Sequence, residues 1–230
     1  MRAHPIAIAV AAAMICGFAA AGGGNAGANL DEPTQNEVMQ IISNWEKTPR
    51  FAANMVMQKY GPPAEATATR LVWFDNGPWK RTVITNEPTD HDFPMPHQDV
   101  MEQSVNYAVP PEKLDELAAY DGSVHVHRTR GEMSARCDLE PANFIALNLA
   151  HDVITGKRSV DEARQQYADL VIAKMTTQEP VPYAEGLTFD PAQGAGFADR
   201  TIIGQEMLQK IEQKKQEMMA KALDGAGRRE

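Results

Sequence analysis

The feature that most constrains the fold is a segment over residues 141–155 that is apolar on nearly all sides. Its apolar side chains cover almost the whole circumference of a helix: Phe144, Ile145, Leu147, Leu149, Val153 and Ile154. Such a helix has no side to turn toward water, so other elements must surround it. Pro141 favours a helix start and Gly156 a helix end. The pattern therefore predicts a central buried helix over residues 141–155.

Two capping boxes predict where further helices begin. Thr34-x-x-Glu37 and Ser159-x-x-Glu162 each place a hydroxyl three residues before a carboxylate. This spacing satisfies free backbone amides at a helix N-terminus. Other helices are predicted over residues 48–60 and 110–120.

The strand signals predict an antiparallel sheet. Residues 67–75 and 79–85 are rich in β-branched and aromatic side chains and flank Asn76-Gly77-Pro78, which predicts a hairpin. Residues 100–109 alternate between apolar and polar side chains, as an extra strand does. Between them, residues 86–98 carry three prolines and are predicted to form a loop.

A second hairpin is predicted over residues 123–137, with Arg130-Gly131 as a two-residue turn. Its alternation places His125 and His127 on one face, while Cys137 faces the core. We therefore expect an α+β fold, in which two hairpins and an extra strand form an antiparallel sheet packed with helices.

The domain organisation follows from shifts in composition. A single α+β domain is expected over residues 31–175, followed by an irregular linker over 176–201 that is rich in Pro and Gly. Residues 202–224 predict an appended amphipathic helix, which is either solvated or available for helix-mediated association with a partner. Its thin apolar stripe comprises Ile203, Met207, Ile211 and Met218.

The N-terminal segment is typical of a secretory signal peptide. Arg2 precedes an apolar run, and Ala26-x-Ala28 follows it. Residues 1–28 are thus predicted to be cleaved near Ala28, which gives a periplasmic or secreted protein without a stable transmembrane segment; an uncleaved anchor is the alternative. Cleavage would remove Cys16, so Cys137 could form no internal disulfide.

One candidate metal site lies in the segment from His91 to Asp99, which holds two imidazoles and two carboxylates within nine residues. His91, His97 and Asp99 suit a divalent ion such as zinc, and Met95 would suit copper. His151, on the central helix, would join them if the fold brought it near. The alternative is a structural loop in which Phe93 fills the core.

A candidate ligand surface combines aromatic and polar residues. Trp73 and Trp79 belong to the first hairpin, and His125, His127 and Arg136 share one face of the second. A solvated sheet face is the alternative explanation for the polar set.

Four segments carry a resemblance to other proteins. Trp73, residues 76–81, residues 91–99 and residues 130–138 resemble an uncharacterised group of exported bacterial proteins. The resemblance covers roughly residues 35–175, and it implies export and a single domain but no activity.

Charge and motifs narrow the function classes. The formal charge of −9 argues against a nucleic-acid partner, which requires a basic face. The chain has no GxSxG, SxxK, HExxH, CxxC, Walker or dinucleotide motif. The first hypothesis is therefore an exported envelope protein that acts as a non-catalytic binding or accessory module for an envelope protein or small ligand. The alternative is a metal-binding protein or metal-dependent hydrolase using the His91/His97 segment.

Overall fold

The computed structural model describes residues 33–191 and 199–226, which form an α+β fold as predicted. One antiparallel sheet has the strand order β1-β2-β3-β4-β6-β5. The strands are β1 (Glu65–Ala66), β2 (Arg70–Asn76), β3 (Trp79–His91), β4 (His97–Asn106), β5 (Val124–His127) and β6 (Glu132–Cys137). The expected signal peptide over residues 1–28 lies outside the described residues.

In the part of the chain that the structure describes, two helices precede the strands, one lies between β4 and β5, and four follow β6. They are α1 (Gln35–Ile42), α2 (Lys47–Tyr60), α3 (Leu114–Tyr120), α4 (Glu140–Ile154), α5 (Val160–Thr176), α6 (Pro182–Glu185) and α7 (Gln205–Ala226), and a 3₁₀ turn (Pro111–Lys113) precedes α3. Both predicted capping boxes form, at Thr34 and at Ser159. Within the described ranges, no helix combines the length and the hydropathy that a bilayer span requires.

The predicted central helix is α4, and it organises one part of the core. Its residues from Asn143 to Ala150 are all buried, and Phe144 stacks on Trp79 with 4.6 Å between ring centroids. A second apolar cluster joins α1 and α2 to β2, β3 and β4. The prediction of a surrounded helix is confirmed.

The predicted loop over residues 86–98 is wrong, because β3 continues to His91 and β4 begins at His97. The ladder between β3 and β4 shifts between Ile84 and Thr89: five residue steps on β3 oppose two on β4. Such a bulge leaves residues unpaired, so Pro88 removes no essential hydrogen bond. Only residues 92–96 connect the two strands.

The predicted two-residue turn of the second hairpin is also wrong, although each strand residue lies on the sheet face that was predicted for it. His127 pairs with Glu132 and His125 with Ser134, so residues 128–131 form a four-residue connection. The register is displaced by two residues, and an even displacement keeps each side chain on its face. Cys137 is buried, as the alternation predicted.

Part of the predicted linker belongs to the core. Val181 and Ala184 are buried, and the Asn148 amide donates to the carbonyl oxygens of Tyr183 and Gly186 at 3.1 and 2.8 Å. These contacts attach α6 to α4. The predicted terminal helix is present as α7, and its apolar stripe is exposed.

Candidate metal centre

The end of the β3–β4 hairpin brings two predicted metal ligands together. His91 and His97 are direct cross-strand partners, and their ring centroids lie 5.0 Å apart. Asp99 lies two residues further along β4 and therefore on the same face of the sheet as His97. The backbone pairing alone thus gathers two imidazoles and one carboxylate.

The distances among these three side chains suit a single cation. His97 Nε2 lies 3.2 Å from Asp99 Oδ1, and His91 Nδ1 lies 3.6 Å from Asp99 Oδ2. One donor atom from each residue falls within 4.8 Å of the other two. Zinc bonds to nitrogen and oxygen are about 2 Å long, so donors around a tetrahedral zinc lie roughly 3.3 Å apart. Small side-chain movements would bring all three onto one ion.

Each ring has an oxygen near its outer nitrogen, within hydrogen-bond distance for His97 and slightly beyond it for His91. His97 Nδ1 lies 2.8 Å from the carbonyl oxygen of Met95, and His91 Nε2 lies 3.7 Å from Asp121 Oδ1. Asp121 is fixed in turn by the backbone N–H and hydroxyl of Ser123, both at 2.8 Å. A carbonyl or carboxylate at the outer nitrogen is the usual support of a metal-binding histidine. The inner nitrogens are left facing Asp99.

Several buried polar atoms of this cluster lack hydrogen-bond partners: His91 Nδ1, Asp99 Oδ1 and Asp121 Oδ2. Asp99 Oδ1 faces His97 Nε2 at 3.2 Å but without the alignment of a hydrogen bond. The side chains of Asp99 and Asp121 are only 7% and 1% exposed. Unpaired buried polar atoms are costly, and a cation among the three ligands would satisfy the first two.

The electrostatics of the cluster favour positive charge. Burial opposes protonation of His97, but its contacts with Asp99 and the Cys137 thiol outweigh burial and raise the pKa of His97 to about 11. Burial raises the pKa of Asp121, although hydrogen bonds from Ser123 oppose this shift. Without a metal, a proton on His97 supplies the positive charge, and a cation must displace it.

Phe93 anchors the segment between the two histidines. Its ring makes edge contacts with Tyr120 and Tyr167, at centroid distances of 6.5 and 5.3 Å. The Arg164 guanidinium lies 3.9 Å from the ring centroid. Phe93 thus packs against the core, as predicted, but its side chain is only partly buried, and it belongs to the same segment that presents the histidines.

His151 does not join the cluster, so its prediction as a metal ligand is wrong. Its Nδ1 lies 2.8 Å from the Tyr107 hydroxyl, and its ring stacks on Phe189. Tyr107 follows the last residue of β4, whereas His97 is the first, and ten residues of strand span about 33 Å. Burial lowers the pKa of His151, as expected for a neutral ring in an aromatic cluster.

The two tryptophans of the predicted ligand surface are buried, so they cannot belong to such a surface. Trp73 and Trp79 are 3% and 1% exposed, because their rings belong to the core and their N–H groups donate to Gly61 O and Glu140 Oε1. His125 and His127 are exposed on the edge strand β5. Arg136 is half-buried opposite Glu102, on the sheet face away from Cys137.

Two structurally important acids were missed from the sequence. Asp121 directly follows the helix predicted over residues 110–120, and Glu140 directly precedes the helix predicted over residues 141–155. Glu140 accepts hydrogen bonds from Trp79, Tyr60 and Gln103 and pairs with Lys59. Both acids act through residues distant in the chain, and no local spacing signals such contacts.

Neither a protein-family model, a curated protein nor a solved structure matches this chain. Function is therefore inferred from the geometry of residues 91–99 and of the side chains around them.

Proposed function

We propose that this protein binds one divalent cation of the zinc class through His91 Nδ1, His97 Nε2 and a carboxylate oxygen of Asp99. The observation that carries the proposal is the paired orientation of the rings. Each outer nitrogen faces an oxygen, of Met95 or Asp121, while the inner nitrogens converge with Asp99. Two histidines with a purely structural role would not need supported outer nitrogens and, at the same time, inner nitrogens that converge on one carboxylate.

The donor set favours zinc over copper. Two imidazoles and a carboxylate are common zinc ligands, whereas copper was suggested by the thioether of Met95. That side chain is about half exposed, and Met95 supports His97 through its carbonyl oxygen instead. The thioether is thus not needed to explain the geometry.

The proposal unites the two sequence-based hypotheses. A binding module of the bacterial envelope, exported by the expected signal peptide, would have the cation as its bound ligand. The hydrolytic alternative needs a metal-bound water, since catalytic zinc sites keep a position open beside three protein ligands. The donor at the fourth position therefore decides between binding and hydrolysis.

The test is a zinc titration of protein purified without a His-tag and stripped with a chelator. We expect one equivalent to bind in competition with a chromophoric chelator. His91→Gln and His97→Gln should weaken binding by more than about 100-fold. His125→Gln is the matched control, because His125 is exposed on β5 and should bind zinc like the wild type.

Thermal unfolding of the metal-free variants shows whether each one folds. The proposal is wrong if the folded wild type binds no stoichiometric zinc. It is equally wrong if both site variants, when folded, bind zinc as tightly as the His125 control.

A further inference from the structure

Cys137 lies on the same sheet face as the proposed ligands. It ends β6 and pairs directly with Met101 of β4, so both side chains point to one face. His97 and Asp99 precede Met101 by four and two residues, which places them on that face as well. Cys137 and His97 line one cavity of about 320 Å³, and the Cys137 thiol donates a weak hydrogen bond to Asp138 Oδ1 at 3.5 Å.

A buried cysteine is by itself only a small apolar side chain. The independent observation here is the Oδ1 of Asp99, which has no hydrogen-bond partner although this side chain is only 7% exposed and faces His97. A buried carboxylate oxygen without a hydrogen-bond partner, aimed at the proposed ligands, points to a cation. The thiol of Cys137, which lines the same cavity as His97, is a further donor that could complete the coordination of the cation.

We infer that Cys137 supplies the fourth ligand, so that the cation is held by two imidazoles, one carboxylate and one thiolate. This inference rests on the proposed function and deepens it, because it specifies the ion. A thiolate suits Zn²⁺ and disfavours Mg²⁺ and Ca²⁺, which prefer oxygen ligands. Four protein ligands also close the site to a metal-bound water, as in structural zinc sites.

The binding step is balanced by the release of protons. The S–H bond of Cys137 breaks as the sulfur–metal bond forms, and the thiol proton passes to solvent. Cys137 is not among the residues whose donor atoms lie within 4.8 Å of one another, so its side chain must turn toward the ion. The cavity beside Cys137 and His97, lined also by Met95 and Met175, leaves room for this movement.

Cobalt substitution tests the sulfur ligand in the wild-type chain. Addition of one equivalent of Co²⁺ to the metal-free protein should give visible ligand-field bands and a near-ultraviolet sulfur-to-cobalt charge-transfer band. Cys137→Ser and Cys137→Ala should lose the charge-transfer band and bind zinc at least about 10-fold more weakly. His125→Gln should keep both the band and the affinity.

Thiol labelling provides a second readout that needs no variant to fold. One equivalent of zinc should slow the alkylation of Cys137 by iodoacetamide at least about 10-fold, measured by mass spectrometry of the Cys137 peptide. The same amount of Mg²⁺ should leave the rate unchanged.

The outcomes separate this inference from the proposed function. Absence of both zinc and cobalt binding overturns the proposed function and this inference with it. Binding of either metal without a charge-transfer band and without thiol protection overturns only the role of Cys137, and leaves a site with three protein ligands.

Discussion

Replacement of Glu140 by glutamine should reveal how strongly this carboxylate connects α4 to the sheet and to α2. The Glu140 side chain is 13% exposed. Its Oε1 accepts hydrogen bonds from Trp79 Nε1 at 2.6 Å, Tyr60 Oη at 2.7 Å and Gln103 Nε2 at 3.3 Å. These donors come from α2, β3 and β4, so one carboxylate connects three elements to the start of α4.

The expected loss in the free energy of unfolding can be estimated from the charge of these hydrogen bonds. The oxygen of a glutamine could still accept the same three donors, but the two short bonds would change from charged to neutral, which weakens each by about 1 kcal/mol. The ion pair with Lys59 would also be lost; Lys59 is 53% exposed, so this pair contributes only about 0.5 kcal/mol. Glu140→Gln should therefore lower the free energy of unfolding by about 2 to 3 kcal/mol at pH 7.

The pH dependence has a defined sign. Burial tends to raise the pKa of Glu140, but Lys59, Trp79 and Tyr60 outweigh it and hold this pKa below its ordinary value of 4.5. A lowered pKa in the folded state means that the stabilisation is complete above the ordinary value and is lost as the pH falls through the folded value. The difference in stability between wild type and Glu140→Gln should thus shrink below about pH 4.5.

Urea denaturation followed by tryptophan fluorescence measures this effect, because Trp45, Trp73 and Trp79 are all buried. Glu87→Gln is the matched control: Glu87 is exposed on β3, and its change should stay within about 0.5 kcal/mol. A loss at Glu140 no larger than at Glu87, or a loss that is the same at pH 4 and pH 7, would refute the reasoning.

Three further predictions concern the site and the chain termini. Asp121→Asn should weaken zinc binding about 10- to 100-fold, because it removes the charged partner of His91; equal affinity in the competition titration would contradict this. Phe93→Ala should destabilise the fold by about 2 kcal/mol in urea denaturation, because the substitution removes the contacts of the half-buried ring with Tyr120 and Tyr167. An unchanged urea midpoint would contradict the anchoring role of Phe93. A chain ending at residue 200 should unfold at the same urea concentration as the full chain, whereas one ending at residue 179 should unfold earlier, because it lacks α6; equal midpoints for the two truncations would show that α6 contributes nothing.

The elements that could be predicted from the sequence are those with local causes. The capping boxes at Thr34 and Ser159 form as predicted, because each depends on two side chains three residues apart. The burial of α4 could also be predicted from its own residues alone, because apolar side chains cover nearly all sides of this helix. The alternation of β5 and β6 predicted the correct faces, since a register displaced by two residues preserves them.

The parts that could not be predicted depend on distant residues. The bulge between Ile84 and Thr89 places odd-numbered His91 on the face that even-numbered Ile84 occupies, so simple alternation along β3 fails. Asp121 reaches His91 only because α3 ends beside the hairpin. Trp79 was predicted to lie on a ligand-binding surface. Its ring is buried instead, because its N–H donates a hydrogen bond to Glu140, which is distant in the chain.

The metal centre is tested most directly by the nuclear magnetic resonance signals of the histidine ring nitrogens in the ¹⁵N-labelled protein. After one equivalent of zinc, the account predicts that the signals of Nδ1 of His91 and Nε2 of His97 move to metal-bound positions. The rings of His125, His127 and His151 should keep their metal-free signals. Unchanged signals for His91 and His97, or shifts confined to the other three rings, would contradict the account.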